Sequence, residues 1–86
     1  MYSNVTIHGN CVFSIKINGN LKGITPINLQ LENGHLYELI GVPIEFDWIE
    51  VHRYFFLDKD ISIYVEYNPT FVDFLKMIFR LKNWVH

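Results

Sequence analysis

Two Asn-Gly dipeptides, Asn18-Gly19 and Asn33-Gly34, constrain this chain more than any other feature. Both residue types tolerate positive φ, which a two-residue β-hairpin of the favoured hand requires. The flanking segments alternate. Ahead of the first pair, Cys11, Phe13, Ile15 and Ile17 share one face, and Val12, Ser14 and Lys16 share the other. That period of two marks a half-buried strand and places Cys11 among core residues. Asn20-Leu21-Lys22 returns as a short strand ended by Gly23. Ahead of the second pair, Ile27, Leu29 and Leu31 alternate with Asn28 and Gln30. Residues 35–40 then return with Tyr37 and Leu39 on one face and Leu36 and Ile40 on the other. Both dipeptides are therefore read as hairpin turns.

The remaining segments extend this pattern. Residues 5–8 alternate weakly and read as an edge strand, followed by a Gly9-Asn10 turn. Thr25-Pro26 forces an extended residue and removes a ladder donor. Residues 44–57 read as one long strand. Ile44, Phe46 and Trp48 have one parity and Ile49, Val51 and Phe55 the other, so a β-bulge or bend is expected between Trp48 and Ile49. Ile61, Ile63, Val65 and Tyr67 form a last strand. After Asn68-Pro69 the period changes. Thr70 with Asp73 three residues later resembles a capping box, and a helix over about residues 70–84 is predicted. Alanine is absent, while half of the 86 residues are hydrophobic and 16% aromatic, which disfavours a helix bundle and a disordered chain. The fold class is mainly β (α+β): a small antiparallel β-sandwich or bent meander of six or seven short strands. One C-terminal helix packs on it, and residues 1–86 form a single domain.

Residues 13–34 carry a further pattern. A strand leads to Asn18-Gly19, then to Gly23-Ile24-Thr25-Pro26, a short strand and Asn33-Gly34. This order of turns resembles the first half of a PEGA domain and covers roughly a quarter of the chain. The aromatic strands and terminal helix depart from that family's pattern. The resemblance implies a small β-sandwich-like module used for binding or as a spacer, often on cell surfaces, with no catalytic residues to carry over.

Composition and charge exclude several function classes. A single cysteine rules out an intrachain disulfide framework. With no basic residue before Lys16 and no long apolar run, a secretory leader is not expected, and the setting is read as cytoplasmic; a cell-surface setting stays open if a leader has been removed. Without secretion the Asn4-Val5-Thr6 sequon carries little meaning. The net charge is -2, and residues 24–51 hold Glu32, Glu38, Glu45, Asp47 and Glu50 with no Lys or Arg. Such a segment repels phosphate, so no nucleic-acid partner is expected. The apolar runs are too short for stable membrane insertion.

No catalytic set emerges, and an enzyme is not expected. Glu45 and Asp47, two apart, share a strand face as paired hydrolase carboxylates would, although a solvated face accounts for them as well. His8, His35, His52 and His86 lack metal-pair spacing, so neither a metal nor another cofactor is implied. Cys11 lies three residues from His8, but its core parity favours an inert, buried thiol.

The helix is the most informative segment. At ~100° per residue, Phe71, Phe74, Leu75, Ile78 and Val85 centre its apolar arc. Val72 and Phe79 widen one flank, and Met77 and Trp84 the other. The arc is about twice as wide as one sheet face covers. Either a curved sheet wraps the whole arc, or the centre packs and Val72, Met77, Phe79 and Trp84 bind a partner. The expected function is a non-enzymatic protein-interaction module, binding a protein partner or itself as a homodimer through this helix. The alternative is a small inhibitor, viral in type, that binds a host protein through an acidic face of Glu38, Glu45 and Asp47. A membrane face served by Lys76, Arg80 and Lys82 ranks behind these, because Lys82 intrudes on the apolar arc.

Overall fold

The computed structural model describes the backbone of residues 1–84 and the side-chain environments of residues 1–78. The strands are β1 (Tyr2–Gly9), β2 (Phe13–Ile17), β3 (Asn20–Ile24), β4 (Ile27–Glu32), β5 (His35–Pro43), β6 (Val51–Leu57) and β7 (Ile61–Val65). Helix α1 (Phe71–Trp84) ends the described chain. The strands form two sheets, one of three strands in the order β4-β1-β7 and one of four in the order β3-β2-β5-β6. All pairings are antiparallel except β1 with β7, which is parallel.

The alternation read from sequence defines the layer between the sheets. Val5 and Ile7 of β1 and Val65 of β7 face Phe13 and Ile15 of β2, Leu39 of β5 and Leu57 of β6, all at 0% exposure. Ile27, Leu29, Leu31, Ile61 and Ile63 pack around this centre half-buried. They are less covered because they stand on the two outer strands of the narrower sheet.

At Asn18-Gly19 both residues have positive φ, 50° and 82°, and the dipeptide closes the β2–β3 hairpin. Asn33-Gly34 differs from expectation. Only Gly34 has positive φ, and the dipeptide carries the chain from the three-stranded sheet into the four-stranded one. Its two residues belong to different layers. Asn33 N donates to Met1 O at 2.9 Å and its Oδ1 accepts from Ser3 Oγ at 2.6 Å, whereas Gly34 N donates to Leu57 O at 2.7 Å. Thr25-Pro26 makes another of the crossings between the sheets, from β3 to β4. Thr25 is buried there; its Oγ1 accepts from Phe13 N at 3.0 Å and its N donates to Phe13 O at 2.9 Å.

Three further expectations are corrected. β1 is the central strand of its sheet, because Ser3, Val5 and Ile7 extend its inward face over eight residues. No strand covers residues 44–49; they form a turn, with Phe46 N donating to Pro43 O and Ile49 N to Phe46 O, so the change of parity marks a chain reversal. A register shift occurs instead in the β2–β3 ladder, between Ile15 and Lys16. Cys11 is exposed, because β2 begins only at Phe13 and the cysteine lies in the bend before it.

Candidate functional site

Helix α1 is held to the sandwich by its first turn. Asn10 sets the approach: its Nδ2 donates to Tyr67 O at 2.9 Å, and its Oδ1 accepts from Tyr67 N at 3.1 Å. This clasp fixes the chain just beyond β7 and aims the Tyr67 ring at the helix start. Thr70 and Asp73 then form the predicted capping box. Asp73 N donates to Thr70 Oγ1 at 3.3 Å, and Asp73 Oδ2 accepts from Thr70 N at 2.9 Å. The same carboxylate oxygen accepts from Thr70 Oγ1 and from the Tyr67 hydroxyl. A carboxylate at this end also meets the positive pole of the helix.

These donors set the protonation of the pair. The Tyr67 hydroxyl, then the Thr70 amide and hydroxyl and the Trp48 indole, hold the Asp73 carboxyl down at about 2 against a burial effect of opposite sign. Tyr67 is pushed up to about 12, first by burial and then by its bond to Asp73 and that residue's charge. The pair is therefore a neutral phenol donating to a carboxylate across the neutral range.

Four aromatic rings complete the root. Phe46, 6% exposed on the 44–49 turn, packs edge-on against Trp48 and Phe74 and tilted against Tyr67, with centroids 5.6, 5.7 and 5.8 Å away. Beside it, Cys11, Val12, Pro43, Ile44 and Glu45 line an apolar recess of about 350 Å³ that Phe46 also borders. Burial and then the charge of Glu45 push the Cys11 thiol up, so it stays protonated.

Beyond this root the described part of the helix, through Ile78, is largely open. Phe71, Val72, Phe74, Leu75 and Ile78 range from 77% to 37% exposed. The expectation that the centre of the arc packs on a sheet is thus corrected, because only Phe74 among these has a ring partner on the sandwich side. Of the four flank residues named from sequence, Val72 is exposed and Met77 half-buried. The side chains of Phe79 and Trp84, and the whole of Val85 and His86, lie outside the described residues.

The acidic residues are not brought together. Glu38 is half-buried on β5 and accepts from the Tyr54 hydroxyl at 2.9 Å, a bond that in turn raises the tyrosine. Glu45 and Asp47 are exposed on the turn beyond Pro43, ~16 Å of strand farther along. As turn residues, Glu45 and Asp47 also lose the common strand face their spacing implied. Among the described residues no three His, Cys, Asp or Glu side chains are grouped to hold a metal ion, and no helix is long and apolar enough to cross a membrane.

Sequence reasoning passed over a second apolar surface. The outer face of the four-stranded sheet carries Leu36 opposite Phe56, Glu38 opposite Tyr54 and Ile40 opposite His52, with Leu21 and Ile24 on β3. Leu36, Phe56, Leu21 and Ile24 are all more than half exposed. The outer face of the other sheet is mostly polar, with Asn4 opposite Gln30 and Thr6 between Asn28 and Ser62. The signal was present in β5, whose two parities are both apolar, as in strands covered on both faces. No family model, curated protein or solved structure matches this chain.

Proposed function

We propose that this chain is a non-enzymatic protein-interaction module that acts through α1, associating with itself or with a protein partner. The carrying observation is that the helix is rooted by one turn while Phe71, Val72, Leu75 and Ile78 remain exposed. Contiguous apolar side chains left open on a soluble-sized domain mark an interaction surface. A rigid root supports the same reading, since a helix fixed in direction loses little freedom on binding. The PEGA-like order of turns agrees with a binding or spacer role. A lone exposed thiol fits a reducing, cytoplasmic compartment.

Sedimentation of the full chain at micromolar concentration tests this reading, with Ile78→Ser and Trp84→Ser as probes of the helix face. Association that either substitution weakens is expected. A strict monomer, indifferent to both changes, removes the self-associating form of the proposal.

A further inference from the structure

We infer that α1 of one copy docks on the outer face of the four-stranded sheet of a second copy, and reciprocally, to close a two-fold dimer. The inference rests on the self-association reading and names the surface that receives the helix.

Each chain presents two unpartnered surfaces of matching kind. An amphipathic helix is covered by a sheet or another helix, and an apolar sheet face by a helix or another sheet. Among the described residues, through Ile78, the helix has no sheet layer beneath it, and the four-stranded sheet has no layer above it. The two surfaces cannot meet within one chain. The molecule measures 52 × 21 × 18 Å. Nine-residue β5 accounts for ~30 Å of the long axis and fourteen-residue α1 for ~21 Å, so the helix continues the sandwich lengthwise and does not fold back on it. Its root at Phe46, Tyr67 and Asp73 holds it in that direction.

A second copy satisfies both surfaces. Four strands at ~4.8 Å spacing make a face wide enough for a helix ~10 Å across, and β5 is longer than α1. Charge favours the same pairing. Asp73 is buried in the root, so the helix sequence offers Lys76, Arg80 and Lys82. The receiving face bears Glu38 as well as Lys16, which stands opposite Ile40, and Glu45 and Glu50 line the connection at its end. Reciprocity follows from size. A single footprint of ~21 by ~10 Å is about a quarter of the ~800 Å² per partner of a standard interface, and a reciprocal pair raises it to about half. A two-fold arrangement engages the helix and the sheet face of each copy and doubles the contact.

The test is a mixing experiment on the full-length chain, read by sedimentation or light scattering. Ile40→Glu places a charge at the centre of the sheet face, and Ile78→Glu does so on the helix. Leu36→Glu, at a site 64% exposed, is a second sheet variant that does not disturb the core. Each variant keeps the circular dichroism spectrum of the parent and dimerises at least about tenfold more weakly. Mixing a sheet variant with the helix variant restores a dimer of one copy each, because one intact helix and one intact sheet face meet in the mixed pair. If the sheet variants dimerise like the parent while Ile78→Glu does not, the helices pair with each other; this inference falls and the self-association reading stands. Variants that weaken association but do not complement on mixing also overturn it. A parent chain that is monomeric throughout, whether or not it binds a different protein or anionic vesicles, overturns both the dimer and its geometry.

Discussion

Replacing Phe46 by alanine separates the helix from the sandwich in energy. The ring is 6% exposed and touches Trp48, Tyr67 and Phe74, yet it lies outside the core cluster between the sheets. Truncating a buried phenylalanine costs about 3–5 kcal/mol, and each aromatic pair adds ~0.5–1.5 kcal/mol beyond burial. Phe74 is itself 44% exposed and the turn can relax, so the low end applies. A loss of ~3 kcal/mol lowers the docked-to-undocked ratio of the helix root roughly 150-fold. A fourteen-residue helix without tertiary support is marginal in water, so undocking melts it. Amide hydrogen exchange reads this directly. In Phe46→Ala the amides of residues 75–78 should lose about two decades of protection, while those of Ile15, Leu39 and Val5 change far less. Equal loss in helix and strands would refute the reasoning, because it would make the two a single cooperative unit. Unchanged protection in the helix would show that the capping box alone holds it.

Two other outcomes follow from the same geometry. Asp73 titrates at about 2 in the fold, below its ordinary 3.8, so the stability it contributes is complete above the ordinary value and is lost as pH falls through about 2. The helix amide resonances should therefore weaken between those pH values in the parent, and Asp73→Asn should flatten that step; identical acid profiles in the two proteins would contradict the assigned bond. Gly9→Ala places a Cβ 2.4 Å from the Phe13 ring and 2.8 Å from Cys11 O, and a loss of about 1–3 kcal/mol is expected in a denaturant titration, an unchanged midpoint being the contrary result.

Much of the fold was legible because its signals are local. Positive φ at Asn18 and Gly19 is a property of two adjacent residues, and the hairpin followed. Inward parity of Phe13, Ile15 and Ile17 needs only the pleat of one strand. The capping box needs only Thr70 and Asp73. Asn33-Gly34 was misread for the complementary reason. It offers the same local chemistry as Asn18-Gly19, but its residues pair with Met1 and Leu57, and no short-range rule tells a turn within a sheet from a turn between sheets. The 44–49 segment failed similarly: alternating apolar residues predict a strand, while Phe46 is buried by rings brought from residues 67 and 74.

The amino-acid sequence by itself determined the β-rich class, the faces of the strands and the amphipathic terminal helix, since each arises from the spacing of side chains a few residues apart. The tertiary structure alone decided that β1 pairs with β4 and β7, that Cys11 leaves the core face, that Glu38 lies apart from Glu45 and Asp47, and that Phe71, Val72, Leu75 and Ile78 of the helix arc face water. Those outcomes depend on which distant segments share a layer. That choice is made by the burial of the whole chain, and no stretch of it taken alone contains the answer.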